Sequence, residues 1–183
     1  MAVRIWYGTE ADVYVQPKGS GAPFQSQHRV TCQITELSIS GGDRDTETIH
    51  VLGEELSTNP CVSIQKELPQ EEFEVELTLI KTDAETAKWV LGGTDTTEPI
   101  EVVGAGPRVP HRIIIDMKKT PAGGTEHNLR ITFTDAYGVT IEKSVDAEGH
   151  IEETITFKCS AANYKEEYTS DTSTAPLPTP PNY

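Results

Sequence analysis

The side chains able to do chemistry are five histidines, three cysteines and a dense set of carboxylates, and their spacing limits what they can do. His28, His50, His111, His127 and His150 stand one at a time, with no second His or Cys at the short intervals that metal ligation uses. Cys32, Cys61 and Cys159 are odd in number and contain no C-x-x-C, so neither a disulfide framework nor a zinc site is expected. Cys32 and Cys159 lie inside alternating apolar runs, where a free thiol serves as a small buried hydrophobe. Asp43-Arg44-Asp45 offers two oxygen ligands but lacks the distal Glu of a calcium loop. Glu71, Glu72, Glu74 and Glu76 would suit acid–base work only if an apolar pocket drove two of their pKa values apart, and that face carries none. Gly104-Ala105-Gly106-Pro107 comes nearest to a phosphate-cradling loop, yet no helix pattern follows to offer its N-terminus. The expectation is a chain with no catalytic residue, no metal and no cofactor.

Charge points the same way. The chain has 183 residues, with 29 Asp and Glu against 15 Lys and Arg, a formal charge of −14. Phosphate contacts dominate nucleic-acid affinity, so this balance opposes tight binding to DNA or RNA. No run of eighteen apolar residues is present, so no membrane partner is expected, and the first residues lack the basic and apolar segments of a secretory leader.

The elements that must carry these side chains are strands. A period of two recurs along the chain, separated by turn residues. From Asn128 to Cys159, Leu129, Ile131 and Phe133 alternate with polar residues; Asp135-Ala-Tyr-Gly138 reads as a turn with Gly138 at its positive-φ position; Val139 and Ile141 return; and Ile151, Ile155 and Phe157 make a third strand. Val30 to Ser40 is a long strand whose apolar parity switches between Ile34 and Leu37, which predicts a bulge. Gly41 to Asp45 then reads as a hairpin tip and Thr46 to Leu52 as its return. Phe73, Val75, Leu77 and Leu79 form a clean apolar face, and Val3–Tyr7, Val13–Val15, Ile100–Val103 and Arg112–Met117 complete roughly eight to ten strands, the range of sandwiches and barrels. The exception is Asp83 to Gly93, a short helix with an N-cap aspartate and a glycine stop, whose Trp89 is expected to cap the core edge. The fold class is therefore mainly β, an antiparallel sandwich or barrel with one flanking helix.

The ends of the chain differ from its body. Pro17 to Gln27 lacks periodicity and reads as a mobile loop or an arm that orders only against a partner. The β domain is expected over residues 1–165, and residues 166–183, rich in Ser, Thr and Pro, are expected as an extended, solvated tail.

Three stretches together carry a resemblance: Ile34-Thr-Glu-Leu-Ser-Ile-Ser-Gly-Gly-Asp-Arg-Asp-Thr-Glu-Thr-Ile-His-Val51, the single helix Asp83–Gly93 and the closing run Asn128–Cys159. In element order they resemble the major tail tube proteins of tailed viruses. The resemblance implies six copies to a ring, rings stacked into a tube, strands of neighbouring copies joined into a continuous inner barrel, and a genome passing through. It implies a virion location after assembly in the host cytoplasm, with tape measure and terminator proteins as partners and DNA only in transit. Carried onto this chain, it makes the hairpin Thr31–Val51 and the closing strands candidates for the tube wall. Gln16, Phe24, Gln27, Gly41, Gly42, Asp43, Arg44 and Asp45, together with the C-terminal segment, become candidates for contacts between copies. Glu36, Glu47 and Glu152 are the acidic candidates for the bore, where a shared negative sign would let DNA slide without sticking. The Ser/Thr/Pro end departs from the family pattern and is expected to dress the outside. Two alternatives to a viral tail stand beside this: a β-sandwich decoration or adhesion module, and the tube of a phage-related injection or secretion machine.

Overall fold

The computed structural model describes residues 11–31, 33–43, 46–51, 62–67, 70–80, 85–91, 108–119, 127–145, 151–169 and 177–183. They form β1 (Ala11–Pro17), β2 (Ile34–Gly41), β3 (Thr46–Val51), β4 (Val62–Glu67), β5 (Phe73–Ile80), α1 (Glu85–Leu91), β6 (His111–Lys119), β7 (His127–Val145), β8 (Ile151–Cys159) and β9 (Tyr164–Tyr168). The expected strands at Val3–Tyr7 and Ile100–Val103, the glycine loop at Gly104 and the residues Cys32, Cys61, Arg44 and Asp45 lie outside the described residues.

Among the described residues all pairing is antiparallel. Seven of their strands follow the order β1-β6-β7-β8-β5-β2, with β9 added to β7, while β3 and β4 pair only with each other. The 19-residue β7 belongs to two layers. Its first half pairs with β6 and β9, and its second half, from Tyr137, pairs with β8. One layer is therefore β1-β6-β7-β9 and the other β7-β8-β5-β2, joined along a single strand.

Alternation explains why the layers close on each other. Val13, Val15, Ile113, Ile115 and Phe133 from the first layer meet Val75, Leu77, Leu79, Ile155 and Phe157 from the second in one buried cluster. Each such side chain contributes about 1.5–3 kcal/mol when removed from water. Phe73 closes one end of the cluster, stacked on Tyr164 at 4.6 Å and edge-on to Phe133 at 5.8 Å. Helix α1 lies on β7 and β8, and Trp89 covers the core there as expected, with ring centroids 6.0 Å from both His111 and Phe157.

Two sequence expectations are corrected. The Asp135–Gly138 segment is a kink within β7, not a turn between two strands: Asp135 takes the left-handed conformation at φ 53°, and the register slips between Gly138 and Thr140. A positive-φ residue and a break in alternation serve a bulge as well as a turn, so the two look alike in sequence. Gly138 is required for another reason, since a Cβ there would sit 2.6 Å from the Trp89 carbonyl oxygen.

The second correction concerns the expected hairpin from Thr31 to Val51. Strand β2 pairs with β5, placing Leu37 opposite Leu77 and Ile39 opposite Val75, whereas β3 pairs with β4. Matching apolar faces outweighed the short connection. Gly41 and Gly42, at φ 91° and 79°, turn the chain away, and a Cβ on Gly41 would lie 2.2 Å from the Glu72 carbonyl oxygen. The predicted bulge is present, as a register shift between Ile34 and Glu36. Strand β2 starts only at Ile34, where the Gln33 and Ile34 N–H groups bond to the Val30 carbonyl.

Candidate assembly surfaces

The second layer has one face on the core and one on solvent. Along its solvent face, Glu36 stands opposite Thr78, Thr78 opposite Thr154 and Thr154 opposite Glu142. The next rows are Ser38–Glu76–Thr156–Thr140 and Ser40–Glu74–Lys158, and Glu152 stands between Ile80 and Ser144. Five carboxylates thus share the face with one ammonium, that of Lys158, which is held by Glu74 at 2.7 Å. The Thr78 and Thr154 hydroxyls share a bond of 3.1 Å. Among the described residues, neither the outer edge of β2 nor that of the second half of β7 pairs with another strand. At the β7–β8 end, Val145, Ile151 and Ile80 leave apolar surface in water, Val145 being 69% exposed. On the β2 side a cavity of about 530 Å³ opens between the layers, lined by Ala11, Val13, Ile34, Leu37, Ile115 and Met117 among others. This layer can offer a negatively charged, hydroxyl-rich wall with a pairing-competent edge on each side.

Two of the three acidic candidates, Glu36 and Glu152, fall on that wall. Glu47 lies on β3, opposite Lys66. Glu74 and Glu76 join the wall, whereas Glu71 and Glu72 precede β5, where the Glu71 N–H bonds to the Asp43 carbonyl at 2.9 Å. Their neighbour Glu153 points inward, 0% exposed, where it accepts from the Thr86 hydroxyl of α1 and pairs with Lys143 Nζ at 2.9 Å. It ties the helix to the sheet.

The outer face of the first layer is the opposite case, because the chain covers it with its own end. Gln16 is 1% exposed and serves inside the chain. Its Nε2 donates to the Gly21 and Ala22 carbonyls, each at 3.0 Å, and its Oε1 accepts from Arg112 Nε at 3.0 Å. Arg112 Nη1 donates to the Pro181 carbonyl at 2.7 Å. Arg130, paired with Asp116 at 3.0 Å, donates to the Pro178 carbonyl at 2.6 Å. Tyr183 is the anchor of this end. Its main-chain oxygen accepts from the Gly19 and Gly21 N–H groups at 2.9 and 3.3 Å, its N–H donates to the Gly21 carbonyl at 3.0 Å, and the Arg112 guanidinium lies 4.9 Å from its ring centre.

The expectation of a solvated end therefore gives way for residues 177–183, and the 17–27 loop orders against the chain's own terminal segment. Glycines Gly19 and Gly21, in the left-handed region, allow the N–H groups of that loop to point at Tyr183. Phe24 sits at φ 58°, edge-on to Tyr14 and 5.0 Å from the Arg130 guanidinium. Gln27 bonds to Gln25 at 2.8 Å on the surface. Sequence reasoning missed Arg112, Asp116, Arg130, Asp135 and Tyr183. The available signal was two arginines and two aspartates on strand positions facing away from the core.

Burial lowers His111 to about 4, so the ring is neutral, and it raises the Cys159 thiol to about 11, where Sγ donates to the Thr134 carbonyl at 3.1 Å. Among the described residues, no three His, Cys, Asp or Glu side chains gather to hold a metal ion.

No protein-family model matches the sequence, and no curated protein matches it either. Solved structures do match. A chain of the anti-feeding prophage cap, the tube-terminating cap of that particle, superposes with a TM-score of 0.54 at 14% identity, covering 92% of this chain and 95% of that one. A chain of an extracellular contractile injection system sheath–tube complex in the extended state gives 0.48 at 14% identity over 92% of each chain. A chain of that system's sheath/tube terminator in the extended state gives 0.48 at 13%, covering 93% and 98%. At these identities the likeness is one of fold, and it is carried by the cap chain: this protein has the fold of a chain found in a tube-terminating cap.

Proposed function

We propose that this chain is a structural subunit of a tube, or of the ring that ends one, in a phage-like particle or contractile injection system. Copies join side by side through the free edges of β2 and β7, six to a ring, and rings stack. The carrying observation is the second layer: four strands, one acidic solvent face, and an unpaired edge on both sides among the described residues. Exposed strand edges are an aggregation hazard unless something pairs with them, and head-to-tail pairing of unlike edges closes a ring when the rotation per copy fits. The apolar Val145–Ile151 end and the cavity beside β2 lie on opposite sides of this layer, as a heterologous contact needs.

In this reading Glu36, Glu74, Glu76, Glu142 and Glu152 face the bore, and a polyanion passes without adhering. The chain acts without catalysis and without a cofactor. The likeness to a tube-terminating cap chain favours the tube class over a decoration module, and both a viral tail and an injection machine suit the geometry. Negative-stain microscopy of the purified protein, with light scattering across a concentration series, tests it. Six-fold rings or hollow filaments are expected; dispersed single globules at high concentration would rule it out.

A further inference from the structure

The terminal segment Leu177-Pro-Thr-Pro-Pro-Asn-Tyr183 is held in a manner that suits a ligand more than a piece of core. Pro178, Thr179, Pro181 and Asn182 are exposed, while Leu177, Pro180 and Tyr183 are half-buried. The grip is polar and falls largely on main-chain atoms: Arg130 on the Pro178 carbonyl, Arg112 on the Pro181 carbonyl, and Gly19 and Gly21 on Tyr183. Carbonyls three residues apart come to the same side of an extended proline-rich segment, whose helix repeats every three residues. Gln16 orients the Arg112 guanidinium and Asp116 orients that of Arg130, leaving one N–H group of each directed outward. The last residue is read by its side chain, through Asp135, Lys18 and the face presented to Arg112. The segment does not fill the groove either, for a cavity of about 460 Å³ remains between it and Arg112, Thr132, Thr134, Lys165 and Glu167.

None of these contacts requires the segment to belong to the same molecule. The one sequence seen to satisfy the groove is carried by every copy of the chain, and exchange of identical elements between copies preserves each bond. Seven residues, 170–176, join Thr169 to Leu177, a length able to span up to about 25 Å. We propose that the outer face of the β1-β6-β7-β9 layer is a peptide-binding groove that takes residues 177–183 of a second copy in exchange for its own. The inference needs two copies in contact, not a tube.

The test uses full-length protein. A synthetic Leu177–Tyr183 peptide, fluorescent at its amino end, is titrated by anisotropy into wild type and into Tyr183→Ala, whose own segment lacks the ring and hydroxyl. Saturable binding at least tenfold tighter to the variant is expected, and adding Arg112→Leu should weaken it at least tenfold. Tyr183→Phe, which keeps the ring, guards against misfolding and should bind at an intermediate level. Next, Asp135→Cys and Tyr183→Cys chains are mixed, concentrated and treated with a short bis-maleimide that replaces the reach of the phenol, and linkages are mapped by mass spectrometry against the double variant. An inter-chain 135–183 cross-link is expected. Absence of peptide binding to both variants, or no inter-chain linkage where the double variant forms its own, overturns the proposal. Tubes that assemble without the linkage would sink this inference alone, and the linkage without tubes would sink only the tube.

Discussion

The Tyr183 hydroxyl donates to Asp135 Oδ1 at 2.9 Å while accepting from the Asp135 main-chain N–H at 3.0 Å, so one phenol is fixed from both sides. Lys18 completes the group with a 2.8 Å pair to the same carboxylate oxygen. Hydrogen bonds from Lys18 and Tyr183 lower the Asp135 pKa, whereas burial, followed by the bond to Asp135, raises that of Tyr183. A lowered carboxyl pKa means stabilisation that is present above the ordinary carboxylate range and fades as pH falls through the folded value. A raised phenol pKa means stabilisation that is present below the ordinary tyrosine range and is lost as pH rises. The terminal segment should therefore stay docked through neutral pH and loosen at both extremes. Proteolytic release of residues beyond 176, followed across pH, is the check; Asp135→Asn should remove the acid limb.

Gly138 bears the helix. With a Cβ placed 2.6 Å from the Trp89 carbonyl oxygen, Gly138→Ala must push α1 off β7 or bend the strand. A loss of about 1–3 kcal/mol is expected, the range of overpacking in a filled interior. Denaturant unfolding would register it, and an unchanged midpoint would contradict the packing described.

His111 supplies an independent pH signature. It is buried against Trp89 and Phe157, and desolvation lowers its pKa from 6.5 to about 4. Between those values the unfolded chain binds the extra proton and the folded chain does not, so stability is full above 6.5 and falls as the solution is acidified towards 4. The decline is of the order of 3 kcal/mol. Thermal melts of His111→Leu should show a shallower slope over that window than wild type.

Val145→Lys separates folding from assembly. The side chain is 69% exposed, so unfolding free energy should move by no more than about 0.5 kcal/mol. Sedimentation velocity should nonetheless show a marked loss of large species, because the charge falls on the apolar end of the β7 edge. Equal association by mutant and parent would remove this edge from the proposed contact.

Much of the fold was legible because alternation records which side of a strand meets the core. Val75, Leu77 and Leu79 and the bulge near Ile34 were readable in that way, and the capping role of Trp89 followed from its place in the one helix pattern. Partners were not. Which strand accepts β2 depends on the match of Leu37 to Leu77 and Ile39 to Val75, a relation between distant residues that no local pattern encodes. Nor does a local pattern distinguish a bulge at Asp135–Gly138 from a turn. The acidic wall was half visible, since Glu142 and Glu152 fall on the polar side of their strands by alternation, but that they share one face with Glu36, Glu74 and Glu76 depends on which strands pair. The arginine groove was hidden because composition alone says that Pro-rich ends stay in water. That rule fails where guanidiniums positioned by Gln16 and Asp116 meet main-chain carbonyls.

One strand, β7, runs unbroken through both layers, and this bears on how the molecule would carry mechanical load. If neighbours pull along the β7 edge, the force enters a covalent backbone that continues past the Asp135 kink to the opposite layer. It does not have to cross the dispersion contacts of the interior. The two leaves of the sandwich would then resist shear as a folded sheet of paper does along its crease.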